Sequence, residues 1–260
     1  SYNMAFNRNE ILNLVSVSEI TSGNFGFSHV AREGFPIGAI QLYQLEETVD
    51  PEKGTRRIKD LNGNGARDGG DLTVLANALP IHTGGFTNNF TYGRFDGSLF
   101  FNWSYGNYLI NNTRGFVQDV GKSTINAVGT NLSTEALGRW TKPGDIASFP
   151  GIDYSNSDVV SPGSLPAGGV PTDQNLEDGS FLRLRAVQIG YSVPRERAER
   201  AKLSSVRFNL TINNLFTLTR YSGYDPEVSH NFGTNIAPGI DSGTYPNNPK
   251  IVTMGINIGL

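Results

Sequence analysis

The last eleven residues, KIVTMGINIGL, alternate along their whole length. Val252, Met254, Ile256, Ile258 and Leu260 fall on one face of an extended chain, and Thr253, Gly255, Asn257 and Gly259 on the other. VRFNLTINN follows the same rule, with Val206, Phe208, Leu210 and Ile212 against Arg207, Asn209, Thr211 and Asn213. GGFTNNFTYG sets Phe86, Phe90 and Tyr92 against Thr87, Asn89 and Thr91, and LFFNWSYG puts Leu99, Phe101, Trp103 and Tyr105 on one side. In FLRLRAVQIGYSVP the apolar phase runs Leu182, Leu184, then Val187, Ile189, Tyr191, Val193, a slip of one position near Arg185 and Ala186. A β-bulge there restores register. These segments predict two-faced strands.

A soluble sandwich with one face on a core gives this alternation, and so does a transmembrane barrel. The polar faces favour the barrel. They carry Asn, Thr, Ser and Gly with occasional Arg, which suits a wet lumen better than the Lys and Glu of a solvated sheet. Tyr105, Tyr191, Phe216 and Tyr221 lie near predicted strand ends, where an aromatic girdle would sit.

Composition agrees with an all-β chain: 31 of the 260 residues are Gly, against a usual ~7%. No run reaches the ~18 apolar residues of a membrane helix, but a transmembrane strand needs only ~10 residues with alternate ones apolar. The opening SYNMAF shows neither the charged nor the apolar region of a signal peptide. A net charge of -3 provides no basic footprint for nucleic acid. The absence of cysteine excludes disulfides and thiolate metal sites.

Six stretches, taken in order, resemble the SusC/RagA family of TonB-dependent outer-membrane transporters of the Bacteroidetes. They are REGFPIGAI (Arg32 to Ile40), DLNGNG (Asp60 to Gly65), YGRFDGSLFF (Tyr92 to Phe101), RWTKPGD (Arg139 to Asp145), LEDGSFLRLRAVQIGYSVP (Leu176 to Pro194) and NNLFTLTRYSGYDPEV (Asn213 to Val228). The resemblance implies the C-terminal portion, residues 1–260, of a barrel of about twenty-two strands, with the signal peptide, plug and earlier strands absent. It implies import of oligosaccharides or peptides across the outer membrane, driven by TonB–ExbB–ExbD through the missing N-terminal region and capped by a SusD-like lipoprotein. Outer-membrane lipid would surround the barrel, and no bond would be broken, so the chain is expected not to be an enzyme. The final Leu260 departs from the terminal aromatic residue common in such barrels.

With the last strand ending at the periplasm, parity assigns six strands: Ser1 to Asn7, Gly84 to Arg94, Asp96 to Gly106, Ser180 to Val193, Ser204 to Thr217 and Pro249 to Leu260. The turns at Gly93 to Asp96 and Pro194 to Leu203 become periplasmic. Arg8 to Thr83, Asn107 to Gly179 and Leu218 to Asn248 become long extracellular loops, the arrangement outer-membrane barrels show. FPIGAIQLYQLE then cannot be another spanning strand, and is expected as a local hairpin or loop strand. RERAERAK, Arg195 to Lys202, fits a short helix in a periplasmic turn that touches lipid headgroups.

Within the first long loop, DLNGNGARDGGD matches a calcium loop. Asp60, Asn62 and Asn64 take positions one, three and five, Gly65 the sharp turn, the Ala66 carbonyl position seven, Asp68 position nine and Asp71 position twelve. A solvated Asn-Gly turn cluster is the plainer account. The calcium reading makes Ca2+ a structural pin. Tyr108, Trp140, Tyr154 and Tyr224 are candidate ligand-facing groups, because aromatic faces suit sugars and peptides alike; loop packing is the alternative for each. GFVQDVGKS lacks the spacing of a phosphate loop, and His29, His82 and His230 lack ligand spacing. The rival reading is a secreted, calcium-stabilised, carbohydrate-binding β-sandwich.

Overall fold

The alternating runs become neighbouring strands of one sheet. The computed structural model describes residues 1–23, 28–118, 133–151, 172–229, 234–243 and 248–260. In chain order the elements are β1 (Tyr2–Phe6), β2 (Glu19–Ser22), β3 (His29–Arg32), β4 (Ala39–Tyr43), β5 (Leu72–Asn77), β6 (His82–Tyr92), β7 (Phe95–Tyr105), β8 (Tyr108–Asn111), α1 (Asn112–Gln118), β9 (Leu176–Asp178), β10 (Phe181–Ser192), α2 (Arg195–Arg200), β11 (Ser205–Thr219), β12 (Ile240–Asp241) and β13 (Ile251–Gly259).

Six of these, in the order β1-β6-β7-β10-β11-β13, pair antiparallel in a single sheet. They are the six strands that parity assigns, within about two residues at most ends. The apolar positions align across them: Val206 faces Ile258, Phe208 faces Ile256, Leu210 faces Met254 and Ile212 faces Val252. That face stays open. Met254 is 79% exposed and Ile256 59%, whereas a soluble sandwich would cover such a face with a second sheet.

The predicted bulge is present, since register shifts between Leu184 and Ala186 against both β7 and β11. Opposite it, Asn214 adopts φ 52, a left-handed conformation that Asn tolerates better than most residues. At one end of the sheet β6 and β7 join through Gly93 and Arg94, with Gly93 at φ 58, the place a type II′ hairpin reserves for Gly. The other connection at that end is short and contains α2.

Aromatic side chains bound the apolar band at both ends. Tyr2 stacks on Trp103 at 5.6 Å, and His82 lies 4.9 Å from Tyr105 and 5.4 Å from Phe6. Phe95 and Tyr191 are 4.7 Å apart at the opposite end. Ten residue steps from Phe95 to Tyr105 cover about 33 Å of strand. At a tilt of ~40° that spans roughly 25 Å of membrane normal, the height of an outer-membrane apolar band. Among the described residues no helix is long and apolar enough to cross a membrane; the strands are the membrane-crossing elements.

The three long connections are more structured than the sequence pattern foretells. A four-stranded sheet, β2-β3-β4-β5, and a three-stranded one, β12-β8-β9, lie within them. FPIGAIQLYQLE contributes β4, buried at every position and paired with β3 and β5. The dry core is here: Ile40, Leu42, Ala78, Ile110, Ala237 and Ile240 form one buried cluster drawn from all three connections.

Candidate functional site

The polar face of the sheet meets the loops through a charged network. Successive odd positions of β10 send Arg183 and Arg185 to the side opposite Leu182 and Leu184. Arg183 donates to the Asp225 carboxylate at 2.6 Å and lies 3.1 Å from Glu227. Arg185 donates to Glu227 at 2.8 Å and to the Asn248 side-chain oxygen at 2.9 Å. Asn248 closes the set, giving one amide hydrogen bond to Asp225 at 2.7 Å and another to Glu227 at 2.8 Å. Burial alone would raise the Asp225 carboxyl; the bonds from Arg183, the Glu227 N–H and Asn248 outweigh it and hold the group below the usual carboxylate range.

YDPEV, Tyr224 to Val228, is thereby fixed against the polar face. Between them lies a cavity of about 550 Å³, lined by Asn3, Thr83, Asn102, Trp103, Glu227 and Pro238 among others. Asn102 also approaches Glu227, at 3.5 Å. The strand pattern alone missed this network; the signal lay in RLR and DPE, two short runs of opposite charge.

A second polar cluster orders the outer loops. Glu177 accepts from the Ser222 N–H at 2.7 Å, from the Ser222 hydroxyl at 2.8 Å and from Asn111 at 3.1 Å. Tyr221 donates to Asp241 at 2.6 Å, and burial together with that carboxylate pushes its hydroxyl pKa well up. His29, fully buried on β3, contacts the Pro238 carbonyl through Nε2 at 2.8 Å and Ser28 Oγ through Nδ1 at 3.1 Å. A carbonyl can only accept, so Nε2 carries the proton and Nδ1 accepts from the serine. Burial depresses the ring to about 4 despite the Pro238 bond.

The DLNGNG loop closes on its own acidic residues. Asp60 accepts the backbone N–H groups of Gly63, Asn64 and Gly65 at 2.7, 3.2 and 2.7 Å. Asn62 and Asn64 both reach Asp68, at 3.0 and 2.5 Å, so positions three, five and nine converge. Gly63 and Gly65 take φ 72 and 79, which lets the chain fold back twice. Ala66 lies with Asp60 on the wall of an adjoining groove. Asp71 is enclosed by the loop, accepts from the Leu61 N–H at 2.8 Å and the Asp68 N–H at 3.0 Å, and lines the same groove as Asp60 and Ala66. The Asp68 bond, helped by Leu61, keeps its carboxyl below the ordinary range. Among the described residues no three Asp, Glu, His or Cys side chains gather as a metal cluster.

The aromatic candidates separate. Tyr224 is 79% exposed beside a groove with Arg114, Glu135 and Ser222, and Tyr108 is 38% exposed at the start of β8. Trp140 is engaged in loop packing: its Nε1 donates to the Pro51 carbonyl at 2.7 Å, and its ring fills the space where Gly54 and Gly151 lack side chains. Tyr154, His230 and the second half of GFVQDVGKS lie outside the described residues.

No family model matches the chain. Its similarity to curated proteins is nonetheless extensive. It is 32% identical over 203 residues to TonB-dependent receptor P39 of Formosa agariphila, a match covering 77% of this chain and 18% of that protein. TonB-dependent receptor P26 of the same organism is 31% identical over 215 residues, covering 80% and 20%. TonB-dependent receptor SusC of Bacteroides thetaiotaomicron is 26% identical over 259 residues, covering 95% and 23%. The chain thus spans about a fifth of the length of these relatives. In fold it matches the RagAB peptide transporter with a TM-score of 0.73 at 23% identity, over 100% of this chain and 27% of the other.

Proposed function

This chain belongs to the TonB-dependent receptors and is an outer-membrane barrel segment of the SusC/RagA type, and we propose that the protein it forms part of imports oligosaccharides or peptides across the outer membrane. It forms the C-terminal portion of the barrel wall and the loops above it. Energy comes from TonB, acting through parts of the protein other than these residues, and a SusD-like surface lipoprotein closes the outer mouth. The observation that carries this reading is the sheet with one apolar, open face and one polar face over which long outer loops are bolted by the Arg183–Asp225–Glu227–Arg185 network. A wall of that kind shapes an aqueous passage and supports a rigid outer vestibule. The relatives are named as receptors and transporters, in keeping with a non-enzymatic role.

The loops serve as the ligand-facing surface, with Tyr108 and Tyr224 as its exposed aromatic groups. The 60–71 loop is a calcium-held pin: Asp60, Asn62, Asn64, Asp68 and Asp71 supply side-chain oxygens once Ca2+ displaces the amide bonds to Asp68, and the Ala66 carbonyl adds another. Convergence of Asn62 and Asn64 on Asp68, and the place of Asp71 beside Asp60 and Ala66 along one groove, support this.

The experiment is uptake by cells that carry or lack the full-length gene, supplied with labelled oligosaccharide and peptide mixtures, with and without a working TonB. Loss of one class of substrate in both the deletion and the TonB-deficient strain is expected. Uptake of both classes that is indifferent to either lesion would remove the proposal.

A further inference from the structure

The end of the sheet opposite the long loops carries a row of exposed aromatic rings with basic turns beyond it. Pairing register sets Tyr92, Phe95, Tyr191 and Phe208 side by side on β6, β7, β10 and β11. Tyr92 is 84% exposed, Phe95 50% and Phe208 44%. A row of exposed aromatic rings at the limit of an apolar band marks the level where hydrocarbon gives way to headgroups.

Beyond that row lie two short turns, and these are rich in cations. The hairpin turn carries Arg94, and the α2 connection carries Arg195, Arg197, Arg200 and Lys202, five basic residues against Glu196 and Glu199. The Ser192 N–H donates to the Arg94 carbonyl at 3.0 Å, which fastens the hairpin turn to the strand entering α2, three residues before Arg195. Within α2 Ala198 alone is buried, and the basic side chains are all exposed. Arg195 bonds Glu199 at 2.9 Å. Among the described residues no carboxylate lies within ion-pair reach of Arg94, Arg197, Arg200 or Lys202.

We infer that this rim binds the phosphates of anionic phospholipids in the periplasmic leaflet. Guanidinium groups match phosphate geometry with paired N–H donors. Their place just past the aromatic row puts them where phosphates are densest, and several basic residues acting together at an anionic surface add their attractions. The inference rests on the reading above, in which the short turns are the periplasmic end of the barrel.

The test uses the full-length protein, purified in mild detergent and checked for the barrel by its faster gel migration before boiling. Binding of fluorescent phosphatidylglycerol is compared with that of phosphatidylcholine, for wild type, for Arg195→Ala/Arg197→Ala/Arg200→Ala/Lys202→Ala, and for a charge-keeping Arg195→Lys/Arg197→Lys/Arg200→Lys variant. The expected preference for the anionic lipid is roughly tenfold or more, lost at about 0.5 M salt, lost in the alanine variant and kept in the lysine variant. Wild type that holds both lipids equally, or a preference that resists salt, overturns the inference. A preference that survives neutralisation also overturns it, and leaves these cations to an acidic periplasmic protein. Should wild type show no migration shift, the barrel reading fails instead, which is a separate result.

Discussion

Arg183 on β10 and Asp225 in the β11–β12 connection are joined at 2.6 Å with side chains only 3% and 2% exposed. Removing one member of a buried pair strands the other, at a cost of about 3 to 5 kcal/mol. The two members are unequal, because Arg183 also reaches Glu227. Arg183→Ala leaves the buried Asp225 carboxylate with no cation, while Glu227 keeps Arg185; Asp225→Ala leaves an arginine that still has Glu227. Hydrogen exchange of residues 221–229 in the full-length protein is therefore expected to accelerate in both variants, and more in Arg183→Ala. Equal, unchanged protection in both would show that the network does not hold the loop.

His29 gives the loop layer a pH dependence of definite sign. Its ring is depressed to about 4 when buried, against ~6.5 when free. Below pH 6.5 the exposed ring takes up a proton that the buried ring refuses, so docking of β3 on the Ala237–Gly239 stretch weakens as pH falls. The loss approaches about 3 kcal/mol near pH 4. Protection factors at Val30 and Ile240, taken against the intrinsic exchange rate at each pH, should fall between pH 7 and about 5, and His29→Gln should flatten the profile. A profile identical in the two proteins would contradict the assignment.

The calcium loop makes a prediction that separates it from a turn cluster. Protease cleavage within residues 60–71 of the full-length protein should increase on adding chelator and be reversed by Ca2+ but not by Mg2+, which is smaller and sheds its waters reluctantly. Asp60→Ala should be cleaved at the same high rate with or without Ca2+. Cleavage indifferent to chelator would mean that the Asx hydrogen bonds alone maintain the loop.

The sheet was legible in the sequence because its physics is local. Alternation of Leu210, Ile212 and Asn209, Thr211 records which face meets lipid, and the slip between Leu184 and Val187 records the bulge. The loop layer was not legible. Ile40 and Leu42 meet Ile110, Ala237 and Ile240 across separations of seventy to two hundred residues, and nothing in a short window encodes which distant segment covers a buried strand. Of the site, DLNGNG and its turn residues could be read directly. The Arg183–Asp225 pairing could not, since a strand pattern says which way Arg183 points and not what arrives there. Trp140 shows the same limit: an aromatic residue in an outer loop looks available for ligand, whereas Gly54 and Gly151 form a slot that its ring fills.

The central claim is that the open apolar face meets lipid while the polar face lines an aqueous interior. Leu210 and Thr211 are neighbours in the middle of β11 and point to opposite faces, so one substitution in two places tests it. In full-length protein folded into lipid vesicles, Leu210→Arg should cost about 2 to 4 kcal/mol of folding stability, as a charge near the bilayer midplane does. Thr211→Arg should cost far less. Stabilities that fall equally, or fall more for Thr211→Arg, would contradict the account.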